Sequence, residues 1–73
     1  MLQDVFDLLL LHRLEPRWVD GEVHVDIFGR RFMIGDRPGR VAVRTLATTA
    51  PVTFDDPEDA LAAMGLGLLD ATG

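Results

Sequence analysis

The chain contains no cysteine, lysine, serine, asparagine or tyrosine. Without cysteine there is neither a disulfide nor a thiolate metal site to hold a small fold together. The usual covalent nucleophiles (Ser, Cys, Tyr, Lys) are missing as a set. Schiff-base chemistry and the lysine of a phosphate-binding loop go with them. All seven basic residues are arginine. A GC-rich coding bias or adaptation to high salt produces such usage, and it is read here as background. The leucine run Leu8 to Leu11 is far too short to cross a bilayer. Met1 is followed by acidic residues rather than a basic segment, and no small-residue cleavage site follows the leucines. No secretory leader is expected, and a soluble cytoplasmic protein is the default reading.

Length sets a second limit. Residues 1–73 make one small domain. A chain of this size buries only about 60–65% of its unfolded surface, so its core needs help from a partner or a second copy. The net charge of −5 is unevenly spread. Residues 1–29 carry two arginines against six acids, and residues 45–73 carry five acids and no base. Between them Arg30, Arg31, Arg37, Arg40 and Arg44 face Asp36 alone, a basic band inside an acidic protein.

The centre of the chain reads as an antiparallel meander. Two-residue hairpin turns favour Asp-Gly or Gly-X at the tip. Asp20-Gly21 joins Arg17-Trp18-Val19 to Glu22-Val23-His24, and Gly29-Arg30 predicts the next tip. That choice pairs Ile27 with Phe32, Asp26 with Met33, Val25 with Ile34 and His24 with Gly35. Opposed residues share a face, so Val23, Val25, Ile27, Phe32 and Ile34 fall together as the buried side. A following strand, Arg40 to Leu46, is reached through Pro38-Gly39, a pair suited to a type II turn. Val52-Thr53-Phe54 is a candidate further strand at the edge.

Helices are expected at both ends. Residues 2–14 place Leu2, Val5, Phe6, Leu9, Leu10 and Arg13 on one side at 3.6-residue spacing, with Pro16 as the stop. Four leucines at about 100° per residue sweep roughly 300°, more than one sheet can cover. Leu11 therefore points outward, either as a plain exposed leucine or as part of a subunit interface. Near the C-terminus Asp56 is a candidate N-cap and Pro57 the first helical residue, with Glu58 and Asp59 in the first turn. That helix is expected to run to about Met64, with Ala60, Leu61 and Met64 inward. Gly65 then supplies a left-handed stop, Leu66 the hydrophobic contact beyond it, and Leu68 and Leu69 dock or add a turn.

The fold class is thus α+β: a three- to four-stranded antiparallel meander with an N-terminal and a short C-terminal helix packed on one face. The opposite face leaves Glu22, His24, Asp26, Phe28, Arg31, Met33, Ala42, Arg44 and Leu46 open. His24 and Asp26, with Glu22 nearby, invite a metal or acid–base reading, but a polar strand face is commoner. Asp55, Asp56, Glu58 and Asp59 fit helix capping better than a cation site. Arg31 and Arg44, with Arg30 and Arg40 at strand tips, are candidate anion contacts, and an exposed aromatic beside them suits single-stranded nucleic acid. The negative net charge disfavours that partner, and pairing with acidic protein surface serves the band equally well. The function expected is therefore a non-enzymatic acidic protein-interaction module, an assembly, inhibitor or accessory factor, self-associating as a homodimer. It needs no cofactor, metal or membrane. Leu8, Leu11, Phe28, Met33 and Leu46 are its candidate interface. The alternative is a nucleic-acid or anion binder using residues 30–44.

Overall fold

Three two-residue turns set the sheet. The computed structural model describes residues 1–48 and 50–66 of the chain, so the expectation for Leu68 and Leu69 lies outside the described residues. Helix α1 (Leu2–Leu11) precedes strands β1 (Arg17–Val19), β2 (Glu22–Ile27), β3 (Arg30–Arg37), β4 (Arg40–Thr45) and β5 (Val52–Phe54), and α2 (Pro57–Ala63) follows. The strands pair antiparallel in sequence order, β1-β2-β3-β4-β5. The α+β class and the meander stand as expected. The count of three to four strands was too low. Arg17–Val19, only three residues long, pairs with β2 as a strand in its own right, and Val52–Phe54 pairs with β4.

The β2–β3 register differs from the expected one by two residues. Ile27 faces Arg30, Asp26 faces Arg31, Val25 faces Phe32 and Val23 faces Ile34. The tip is therefore Phe28-Gly29, with φ of 52° and 79°, rather than Gly29-Arg30. Positive φ at both tip residues is the type I′ geometry, whose twist matches that of the flanking strands. A non-glycine residue in the left-handed region costs about 1–2 kcal/mol. This register also sets Asp26 directly opposite Arg31, where the other set it opposite Met33. A shift of two residues preserves both faces, so alternation alone could not choose between the registers. The Asp20-Gly21 and Pro38-Gly39 tips are where they were expected, closing Val19 onto Glu22 and Arg37 onto Arg40.

The buried face is the predicted one. Val23, Val25, Ile27, Phe32 and Ile34 join Val41 and Val43 in one cluster. Both helices pack on it, through Leu2, Val5 and Leu9 from α1 and Ala60, Leu61, Met64 and Leu66 from α2 and the residues after it. Phe6 adds a stacked aromatic pair with Trp18, ring centroids 5.2 Å apart and planes 16° from parallel.

The helix ends carry the remaining corrections. α1 stops three residues short of the expected residue 14. Its last turn closes when the Leu14 N–H donates to the Leu9 carbonyl at 3.1 Å and the Arg13 N–H to that of Leu10 at 2.9 Å. This pair of bonds is a Schellman motif, and it puts Arg13 at the left-handed position with φ 63°. Arg13 is therefore off the helix, and Leu10 is half exposed rather than inward. The second helix ends the same way, through Leu66 to Leu61 and Gly65 to Ala62, both 3.0 Å, with glycine at that position as expected.

At its start the Asp56 carboxylate accepts the Glu58 N–H at 3.0 Å, and Pro57 opens the helix. Asp56→Ala is expected to lower stability by about 1 kcal/mol, read as a shift in the urea midpoint. Asp56→Asn, which keeps the acceptor, should restore most of it. An Ala variant as stable as the parent would remove the cap from the account.

Candidate interaction surfaces

The sheet face away from the helices is not an open apolar surface. Its centre is Gly35 on β3, where a Cβ would stand 3.1 Å from a Glu22 carboxylate oxygen and 3.5 Å from Arg37 Nη1. The missing side chain lets the Glu22 carboxylate lie over the bare backbone of the central strand. From there Glu22 Oε1 accepts from Arg44 Nη2 at 2.9 Å and sits 3.4 Å from His24 Nε2. Arg44 Nη1 also reaches Met33 Sδ at 3.4 Å. Long charged side chains cover apolar surface with their stems while keeping their heads in water. Met33, expected as an exposed interface residue, is accordingly only 6% exposed, and Ala42 is buried as well.

The arginine band is largely engaged within the chain. Arg31 donates to Asp26 through Nε and, at 3.1 Å, through Nη2, a two-pronged pair. The hydrogen bond and charge of Arg31 hold the Asp26 carboxyl below its usual range, with Arg17 adding to the effect. The Arg31 guanidinium is correspondingly raised by the Asp26 hydrogen bond and charge. Arg40 Nε meets Asp55 Oδ1 at 2.9 Å, and Arg37 Nη1 donates to the Asp36 carbonyl at 2.9 Å. Arg30 forms no ion pair among the described residues. Exposed pairs of this kind contribute little to stability. Their consequence is that the band offers far less unpaired positive charge than its composition implies. With Asp26 turned to Arg31, the metal reading of Glu22, His24 and Asp26 loses one of its members. Among the described residues no group of three or more His, Cys, Asp or Glu side chains is placed to hold a metal ion.

The exposed apolar residues stand elsewhere. Phe28 is not on the outer sheet face beside Met33, because it occupies the β2–β3 turn. There it is 89% exposed, with one ring edge 3.9 Å from the Cβ position of Gly65 beyond α2. Leu46 lies just past β4 and is 82% exposed, in a loop tied by Thr48 Oγ1 accepting the Thr45 N–H at 2.9 Å. Arg30 lies between the two, lining a groove with Phe28 on one side and another with Leu46 on the other. Phe28 and Leu46 therefore share one end of the sheet. Leu8 packs half-buried against the core, whereas Leu11 is 63% exposed on α1.

Two features went unread in the sequence. Trp18 lies opposite Val23, on the helix side, and its alternation with Arg17 and Val19 was the available signal. A cleft of about 610 Å³ also opens between the end of α1 and the β1–β2 edge, lined by Arg13, Leu14, Glu15, Arg17, Val25, Asp26 and Arg31. It joins segments that no spacing rule connects. Comparison of the chain with protein-family models, with curated proteins and with solved structures returned no match.

Proposed function

We propose that this chain is a non-enzymatic protein-interaction module that self-associates through the sheet end carrying Phe28 and Leu46. The observation that carries the reading is the pair of large apolar side chains left in water at one end, 89% and 82% exposed. Large apolar side chains left exposed at one end of a small domain make that end a candidate contact surface. Phe28 adds a second argument. It takes a left-handed backbone that Asn or Gly would adopt at less cost, so the turn alone gives no reason for an aromatic there. Twofold symmetry is the usual arrangement for identical chains, and it would set each Phe28–Leu46 end against its copy. The arginine band weighs against a polyanionic partner, since Arg31, Arg40 and Arg44 are already paired with carboxylates.

The test is the mass in solution by sedimentation at low and high protein concentration. The parent is expected to move from monomer to dimer across the series. Phe28→Asn should weaken association by tenfold or more while leaving the fold as stable or more so, because Asn suits the turn. Leu46→Glu should also weaken it, and Leu11→Glu should leave it unchanged. A parent that stays monomeric at high concentration defeats the proposal. An association broken by Leu11→Glu alone would move the interface to α1.

A further inference from the structure

The two helices end with the same hydrogen-bond motif but different residues at its left-handed position, Gly65 in one case and Arg13 in the other. Glycine is the low-cost choice there, and an arginine with φ 63° is not explained by the motif. Its surroundings suggest a reason. Arg13 lines the cleft together with Arg17 and Arg31, and Leu14 supplies an apolar wall. Arg31 is engaged by Asp26, whereas Arg13 and Arg17 form no ion pair among the described residues.

Backbone geometry adds a donor. In an antiparallel pair, alternate residues direct their N–H and C=O toward a given neighbour. The two-residue turns close Val19 onto Glu22 and Ile27 onto Arg30. Glu22, His24 and Asp26 therefore point their backbone groups toward the β1 side, and Val23, Val25 and Ile27 toward β3. Strand β1 begins at Arg17 opposite His24, just after Pro16. Among the described residues β1 pairs with β2 only as far as Arg17 opposite His24, and no backbone hydrogen bond joins Asp26 to Glu15. Two guanidinium groups and one strand-edge N–H thus border the same cleft.

We propose that this cleft binds a single carboxylate, carried by an extended peptide segment of a partner protein, between Arg13, Arg17 and the backbone N–H of Asp26. Charge selects the class. The lining holds three arginines against Asp26 and Glu15, one net positive charge, which matches a monoanion better than a phosphate dianion. The protein's overall −5 repels polyanions besides. The strand edge favours an extended backbone, which can return a hydrogen bond to the Asp26 carbonyl, and Leu14 can pack its apolar atoms. This cleft includes neither Phe28 nor Leu46, although Arg31 lines both it and the groove beside Leu46, and the proposal does not depend on self-association.

Amide resonances of the full chain, titrated with four probes, decide the matter. The probes are acetate, inorganic phosphate, a capped tripeptide with one glutamate, and the same tripeptide with glutamine. The glutamate peptide is expected to shift the amides of Arg13 to Arg17 and of Asp26, acetate to do so more weakly, and the glutamine peptide not at all. Arg17→Ala and Arg13→Gly should each weaken binding roughly tenfold, the loss of one charge-assisted hydrogen bond. Arg13→Gly also guards against misfolding, because glycine suits the left-handed position and should raise Tm or leave it unchanged. Absence of localised shifts overturns the proposal, as do shifts that persist in both variants. Phosphate binding tighter than the glutamate peptide would replace the carboxylate with a dianion and overturn it too.

Discussion

Phe32→Ala is expected to cost on the order of 3–5 kcal/mol, enough to leave a domain of this size largely unfolded at room temperature. Phe32 sits on β3, the central strand, between Val25 and Thr45, on the face that both helices cover. Truncation there removes an aromatic from the core of a small domain and leaves a cavity that the surrounding layers fill only in part. Urea unfolding followed by far-ultraviolet circular dichroism gives the number. Leu46→Ala, measured at a protein concentration low enough to keep the chain monomeric, is the matched control, since Leu46 is a large apolar residue that stands in water in the single chain. It should change stability by less than about 0.5 kcal/mol. If the two variants unfold at the same midpoint, the sheet has been assigned the wrong buried face.

That face was legible because two independent signals pointed to it. Alternation along β2 and β3 grouped the valines, isoleucines and Phe32, and glycine turns limited the ways the strands could be joined. What the signals could not separate was a tip at Gly29-Arg30 from one at Phe28-Gly29. Both place glycine at the tip, both are two residues long, and the resulting registers differ by two, which leaves every side chain on its own face. One contact that differs between the two registers is cross-strand, Asp26 opposite Arg31, and it becomes visible only once a register is assumed. The arginine band shows the same limit. Its concentration on β3 and β4 is plain from composition, but its carboxylate partners come from β2 and from the segment before α2. Met33 was misjudged for a related reason. Alternation placed it on the outer face, yet Gly35 lets Glu22 fold down and Arg44 then covers the sulfur. A strand pattern records which way a side chain leaves the backbone. It does not record which long neighbours will lie over it.

The leucine run offers the sharpest comparison of sequence with structure. Leu8, Leu9, Leu10 and Leu11 are chemically identical, adjacent, and spread around most of a helix. Leu9→Ala should cost about 2–5 kcal/mol, because Leu9 is fully buried among the sheet residues. Its carbonyl also accepts the Leu14 N–H that closes the helix, a backbone bond the substitution leaves in place. Leu8→Ala should cost less, since Leu8 only borders the core. Leu10→Ala and Leu11→Ala should each stay within about 0.5–1 kcal/mol, and alanine's slightly better helix propensity removes any confounding loss of helix. Burial is then the only variable left in the series. Sequence spacing alone put Leu10 with Leu9 on the inner side, so equal large losses at both positions would restore that reading and displace the structure's assignment of α1. Measuring all four at two protein concentrations separates one further case. A Leu11→Ala cost that appears only at high concentration would identify α1, and not the Phe28–Leu46 end, as the surface where a second chain docks.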